Sequence, residues 1–101
     1  MIIYNVTINI EDQIHGDWLN WMKEVHIPDV METGCFIEHK ICKVLSVQHD
    51  EQGHTYAIQY TCENETQLNK YQEEFASKLQ KEHLNRYDGK FVAFRTILKV
   101  V

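Results

Sequence analysis

An α+β fold, with one antiparallel sheet covered by helices on one face, is predicted by three features of the hydrophobic pattern. Apolar and polar residues alternate near the N-terminus, in the middle and at the C-terminus, which is typical of strands with one apolar face. Between these strands, two longer segments place apolar residues three and four positions apart, which is typical of amphipathic helices. The third feature is the absence of any linker, repeat or low-complexity segment, so the 101 residues predict a single domain over residues 1–101.

The first strand is predicted over residues 2–11 and the first helix over residues 13–32. The apolar face of the strand is formed by Ile2, Tyr4, Val6, Ile8 and Ile10. The apolar face of the helix is formed by Trp18, Trp21, Met22 and Val25. Two tryptophans on one face require a broad apolar surface to pack on, most simply the sheet. Pro28 has no N–H and disfavours helical geometry at Ile27, so we expect the helix to bend beside His26.

The middle of the chain is predicted to form a hairpin. A β-rich run over residues 35–48 changes its apolar phase midway, which indicates a bulge or burial on both faces. Residues 49–53 form the turn, with Gly53 supplying a positive φ. Residues 55–62 alternate again and form the next strand.

The second helix is predicted over residues 65–87, and the last strand over residues 90–101. Asn64, with Gln67 three residues later, resembles a capping box. The apolar stripe of the helix is Leu68, Tyr71, Phe75 and Leu79, and it continues through His83 to Tyr87. The order β-α-β-β-α-β, with two right-handed crossovers and one hairpin, predicts a ferredoxin-like plait. Its four-stranded antiparallel sheet would carry both helices on one face.

The sheet face opposite the helices is expected to meet a second copy of the chain. It is predicted to present Asn5, Thr7, Asn9, Ala57, Gln59 and Thr61. Only Arg95, Lys99 and Glu11 add charge to it, and a face open to water usually carries more. We therefore predict a homodimer that packs through Asn5, Thr7, Gln59, Thr61 and Arg95, with the edge strands near 40–47 and 96–101 closing a barrel. The alternative is a bare threonine-rich face, which strands tolerate.

Composition argues against several classes of partner and indicates a location. A net charge of −5 argues against a nucleic acid or an anionic membrane surface. No apolar run reaches the length of a membrane span, and the N-terminus lacks the features of a signal peptide. The three cysteines, Cys35, Cys42 and Cys62, match no zinc or redox spacing, so reduced thiols and a cytoplasmic location are expected.

His26 is the candidate catalytic residue, because it stands beside the helix interruption where packing is expected to be loose. The predicted ligand-binding residues are Trp18, Trp21, Met22, Phe36, Tyr60, Asn5 and Arg95. Aromatic walls with a polar group are the usual composition of a small-molecule site, and a neutral histidine can exchange a proton with a phenol or enol. We expect an aromatic or polyketide-like ligand. The alternative is that His26 only hydrogen-bonds the interrupted turn.

A metal site is not expected. His15 and His26 are eleven residues apart on one predicted helix, too far to share an ion. His49, Asp50, Glu51 and His54 cluster in a predicted turn, which is a poor preorganised site.

The segments MIIYNVT, WLNWMKEVHIPDV, TGCF and KFVAFRT, together with the element order, resemble a family of proteins. This is the uncharacterised bacterial domain-of-unknown-function family 4286, within the dimeric α+β barrel superfamily that includes antibiotic-biosynthesis-type monooxygenases. The resemblance implies the fold and a dimer, but no reaction. A structural or regulatory homodimer without catalytic activity therefore stays open beside the small-molecule site.

Two branches of that superfamily suggest site residues. Resemblance to the haem-degrading members implies an Asn on the first strand, a Trp on the second helix and a haem-ligating His. Here Asn5 or Asn9 and His83 would correspond, but Tyr71 stands near the Trp position at a different spacing, so no haem cofactor is expected. Cofactor-free monooxygenases use polar groups between helices and sheet, which here would be His26, Asn5, Tyr60 and Arg95.

Overall fold

The computed structural model describes residues 1–46 and 52–101. Its sheet has four strands, which are β1 (Ile2–Ile10), β2 (Glu38–Lys43), β3 (His54–Cys62) and β4 (Phe91–Lys99). Four α-helices pack with it, which are α1 (His15–Trp21), α2 (Ile27–Glu32), α3 (Glu65–Glu74) and α4 (Ala76–Tyr87). The strand order is β2-β3-β1-β4, and each neighbouring pair is antiparallel. This is the ferredoxin-like α+β arrangement that the sequence predicts. In the described part of the chain, no helix is long and apolar enough to span a membrane.

The first helical segment is irregular immediately before Pro28. A 3-10 turn, Asp12–Ile14, leads into α1, and a π-helical turn, Met22–His26, joins α1 to α2. The N–H of Ile27 donates to the carbonyl of Met22, five residues back. Since Pro28 has no N–H to continue the normal ladder and its ring crowds the preceding turn, a widened turn lets the helix continue.

The π-helical turn changes which side chains face the sheet. Trp18 and Met22 are buried as the helical spacing predicts, but Val25, expected on the same face, is 41% exposed. A π turn contains an extra residue, so the residues after it are rotated relative to the preceding α-helical phase. Ile27 and Val30 therefore take the buried positions, and His26 lies between the helix and the sheet.

The helix-facing side of the sheet forms the core. Every second residue of β1, from Ile2 to Ile10, is buried there, opposite Tyr60, Ile58 and Tyr56 of β3. Trp18 packs on Tyr56 with ring centroids 5.2 Å apart, and so ties the first helix to the middle of the sheet.

The register of β4 corrects the predicted position of two cations. Arg95 pairs with Val6, and Lys99 pairs with Ile2. Cross-strand partners share a face, so both cations lie on the helix-facing side and not on the open face, where the sequence analysis placed them. The prediction was wrong because β4 is apolar on both sides. The sequence analysis turned the more apolar side toward the helices, which placed Arg95 and Lys99 on the open face.

Three apolar residues of β4 occupy the open face instead. Val92 is 70% exposed, Phe94 is 63% exposed and Leu98 is 39% exposed. They pair with Asn9, Thr7 and Ile3 of β1, which lie on the same face. The open face is therefore more apolar than the sequence analysis expected.

The remaining elements differ from their predicted bounds. The second helix is divided into α3 and α4 at Phe75, whose φ of −126° is not helical. Asn64 does cap α3, and its side chain accepts the N–H of Gln67 at 3.0 Å. The predicted strand over 35–48 narrows to β2, while its last two residues and residues 49–51 of the predicted turn lie outside the described residues. Gly53 has a φ of 78°, as expected for a turn glycine.

Candidate functional site

A cavity of about 30 Å³ lies between the first helical segment, α4 and the sheet. Its apolar walls come from both layers, with Met22 and Val30 above and Val6, Ile8 and Ile58 below. This volume is enough for about one water-sized group. The partly exposed side chains of Gln80 and Phe91 also line the cavity.

His26, the last residue of the π-helical turn, contributes an imidazole to this cavity. Its Nδ1 is buried and has no hydrogen-bond partner among the described residues. Its ring stacks on Trp21, with centroids 5.1 Å apart. Burial lowers the pKa of His26 to about 4, opposed by the charge of Asp29 and assisted by that of Arg95. His26 is therefore neutral at physiological pH.

His83, on α4, is the second imidazole of the cavity, and its ring centroid lies 5.7 Å from that of His26. The Nε1–H of Trp18 donates to Nε2 of His83 at 2.9 Å. Because Nε2 accepts, the neutral ring carries its proton on Nδ1. Burial lowers the pKa of His83 to about 4, with further contributions from His26 and Arg95.

Tyrosines form the aromatic wall of the cavity. Tyr4, Tyr60 and Tyr71 all line it, and Tyr4 lies 5.6 Å from Tyr71 between ring centroids. Burial raises the pKa of Tyr60 and of Tyr71 well above the usual range, so both phenols stay protonated. The hydroxyl of Tyr4 accepts a long hydrogen bond from the side-chain amide of Gln80, at 3.4 Å.

Arg95 supplies the positive charge. It projects from β4 on the helix-facing side, lines the cavity and is exposed to solvent. No carboxylate lies within ion-pair distance of its guanidinium in residues 1–46 and 52–101. The site thus combines two neutral imidazoles, protonated phenols and a free guanidinium.

The family model described as Domain of unknown function (DUF4286) matches residues 1–101. The chain belongs to the DUF4286 family. The comparison with curated proteins gives no match.

Solved structures confirm the fold of this DUF4286 domain. A dimeric ferredoxin-like protein from an uncultured marine organism has a TM-score of 0.74 at 18% identity, covering 100% of this chain and 95% of that one. An EthD-family protein from Bacillus halodurans has a TM-score of 0.68 at 8% identity, covering 100% of both chains. A protein from Deinococcus radiodurans assigned to the antibiotic biosynthesis monooxygenases has a TM-score of 0.67 at 13% identity, covering 100% and 93%. The predicted ferredoxin-like α+β fold is confirmed.

The structure brings together four of the predicted site residues in the DUF4286 chain. Met22, His26, Tyr60 and Arg95 all line the cavity. The other four predicted residues do not line the cavity; these are Trp18, Trp21, Phe36 and Asn5.

The two tryptophans lie behind the histidines, Trp18 bonded to His83 and Trp21 stacked on His26. Phe36 lies behind the tyrosine wall, with its ring centroid 5.2 Å from that of Tyr60. Asn5 alternates with the helix-facing residues of β1 and so points to the open face, where its Nδ2 donates to Oγ1 of Thr7 at 3.0 Å.

Sequence reasoning did not assign His83, Tyr71, Tyr4 or Gln80 to this pocket, although all four line it. Helical spacing was the available signal, since Tyr71 and His83 lie on the same apolar stripe of the second helix. The sequence analysis considered His83 only as a counterpart of a haem-ligating histidine. In the structure, its Nε2 accepts the Nε1–H of Trp18.

A second histidine cluster lies at the start of β3. His54 bonds the carboxylate of Asp12 at 2.7 Å and stacks on His15, with centroids 3.8 Å apart. His15 in turn bonds the hydroxyl of Tyr56 at 2.6 Å. Within the described residues, no group of three or more histidine, cysteine or acidic side chains is arranged to hold a metal ion. Of the turn residues considered for a metal, His49, Asp50 and Glu51 lie outside the described residues.

Proposed function

We propose that this protein binds a small, largely apolar molecule in the cavity beside His26, and that His26 contacts the ligand directly. The observation that carries the proposal is the buried Nδ1 of His26, which has no partner among the described residues. An unpaired buried polar atom costs about 1–3 kcal/mol, so it is usually paired or functional. A hydroxyl or enol group of a ligand would pair with it.

The chemistry of the site favours a proton-accepting or hydrogen-bonding role on such a molecule. A neutral imidazole can accept a proton from a phenol or an enol, and the surrounding phenols can stabilise an oxyanion. The lowered pKa makes His26 a weak base, which favours hydrogen bonding or transient proton transfer. Cofactor-independent oxygenase or isomerase chemistry fits these groups. The Deinococcus protein of similar fold supports an oxygenase reaction only in that it is assigned to the antibiotic biosynthesis monooxygenases.

The first test replaces His26 with Phe, which keeps the ring volume and the packing on Trp21 while removing both nitrogens. We expect affinity for aromatic ligands, found by an NMR screen, to fall at least about tenfold if a hydrogen bond is lost. Stability should stay level or rise by about 1 kcal/mol, because no partnered polar group is removed.

His39→Phe is the matched control, since His39 is exposed on β2. If His26 only supports the interrupted turn, His26→Phe should instead destabilise the protein, and the screen should yield no ligand. That pair of results would favour the structural account.

We also propose that the protein works as a homodimer in the cytoplasm. Both faces of β4 support the dimer, since Phe94 on the open face is 63% exposed and Ile97 on the helix-facing side is 48% exposed. A strand that is apolar on both faces is typical of one buried on both faces. The dimeric ferredoxin-like relative in fold supports the same arrangement. The free thiols of Cys35, Cys42 and Cys62 fit a reducing compartment.

Phe94→Asp is expected to split this dimer, because it places a charge among the exposed apolar residues that β4 adds to the open face. Light scattering should report twice the 12.0 kDa chain mass for the wild type and the chain mass for the variant. Ser77→Asp adds the same charge at an exposed position of α4 and should leave the dimer intact. A wild-type monomer at micromolar concentration would refute the proposal.

A dimer that binds no small molecule is the alternative function. The exposed apolar residues of β4 favour it, because they require a protein partner but no ligand. This alternative predicts that Phe94→Asp changes the mass measured by light scattering. His26→Phe should change neither this mass nor the binding of any aromatic ligand.

A further inference from the structure

The walls of the cavity carry a charge of the opposite sign to the protein as a whole. The chain has 15 acidic and 10 basic residues, excluding histidine. Yet no aspartate or glutamate lines the cavity in the part of the chain that the structure describes, and one arginine does. The lining residues therefore carry only a positive charge, although the net charge of the protein is −5 and the carboxylate of Asp29 acts on His26 from outside the lining.

Arg95 is available for such a charge. The other exposed arginine, Arg86, has a carboxylate partner in the described chain, since its Nη2 lies 3.6 Å from a carboxylate oxygen of Asp17. Arg95 has no comparable partner in the same residues. A guanidinium binds a carboxylate through two parallel hydrogen bonds, which are strongest where water is partly excluded.

The neutral polar groups of the cavity add hydrogen-bond donors. His83 carries its proton on Nδ1, because Trp18 occupies Nε2 as a donor. Tyr60 and Tyr71 also line the cavity, and both phenols keep their protons because burial raises their pKa. A cluster of donors beside a cation, with no anion among them, is the composition of an oxyanion site.

We infer that the ligand is a small organic anion, a carboxylate on an aromatic or aliphatic body, with the carboxylate held by Arg95 and the donors of the cavity. This inference rests on the proposed small-molecule site and names its ligand class. The volume of about 30 Å³ suits a head group of this size, while the apolar body would lie toward Phe91 and Ala93. Trp18 acts here as a positioning residue, since it holds His83 in the tautomer that donates.

The test uses benzoate and benzamide as probes, because they have nearly the same shape and differ in charge. Imidazole resonances of His26 and His83 report binding at the cavity. We expect benzoate to shift both sets of signals in the wild type and to bind more tightly than benzamide. Arg95→Gln should weaken benzoate at least about tenfold, which is the expected effect of one charged hydrogen bond, and leave benzamide unchanged. Arg86→Gln should change neither.

The outcomes separate this inference from the proposed function. Equal binding of benzamide and benzoate, unaffected by Arg95→Gln, would overturn the anion inference and leave the small-molecule site standing. Equal weakening of benzoate by Arg86→Gln and Arg95→Gln would show a general charge effect and would also overturn it. If neither probe moves the signals of His26 and His83, the anion inference fails. The proposed function fails with it only if the wider aromatic screen is also negative.

Discussion

Trp18→Ala is expected to lower the free energy of unfolding by about 3–5 kcal/mol, the range for removing a large aromatic side chain from a core. Trp18 is fully buried and its ring packs on Tyr56 in the middle of the sheet. The substitution removes this area, leaves a cavity and deprives Nε2 of His83 of its donor. Urea denaturation followed by circular dichroism measures the change.

Two further substitutions separate the contributions at this position. Trp18→Phe keeps most of the apolar volume but leaves Nε2 of His83 unpaired, which should cost about 1–3 kcal/mol. Trp21→Ala is the matched control, because Trp21 lies on the same helix but is only half-buried. If Trp18→Ala lowers the free energy of unfolding by no more than Trp21→Ala does, the central role of Trp18 in the core is contradicted.

The two central strands could be predicted from the sequence because each has one apolar and one polar side. In β1 the alternation from Ile2 to Ile10 leaves only one phase that buries the apolar set, and the structure has that phase. The same holds for β3 from Tyr56 to Cys62. A shift by one residue would have moved the apolar set of either strand to the open face.

The phase of β4 could not be predicted in the same way. Phe91 and Ala93 lie on one side of this strand, and Val92 and Phe94 lie on the other. Either phase buries apolar residues, so backbone pairing with β1 decides which side meets the helices. The position of Arg95 depends on that choice, and the charge of the cavity depends on Arg95.

The positions of the candidate site residues could be predicted only where local spacing determines them. Helical spacing identifies Trp18 and Met22 as buried, and Pro28 marks the interruption beside His26. The π-helical turn adds a residue that the spacing rule does not contain, so Val25 was assigned to the wrong face. The contact between His26 and His83 joins residues far apart in the sequence, and only the packing of the first helical segment beside α4 brings them together.

Acid should destabilise the protein well before its carboxylates are protonated, since both cavity histidines are neutral in the folded state. Their pKa values fall from the ordinary 6.5 to about 4, chiefly because burial disfavours the imidazolium. Above pH 6.5 each ring is neutral in both the folded and the unfolded chain, so stability does not depend on their titration. As the pH falls from 6.5 toward 4, the unfolded chain binds protons that the folded chain does not, and stability is lost.

The lowered pKa of His83 corresponds to about 3 kcal/mol, since each pH unit of displacement is about 1.4 kcal/mol. We expect the free energy of unfolding to fall by a large part of this between pH 7 and pH 5, as measured by urea denaturation at several pH values. His83→Gln keeps an acceptor for Trp18 but does not titrate, so its stability should depend less on pH in this window. His39→Gln removes an exposed histidine and should leave the pH dependence of the wild type. If His83→Gln and His39→Gln give the same pH dependence as the wild type, His83 is not the group whose titration changes the stability between pH 5 and 7.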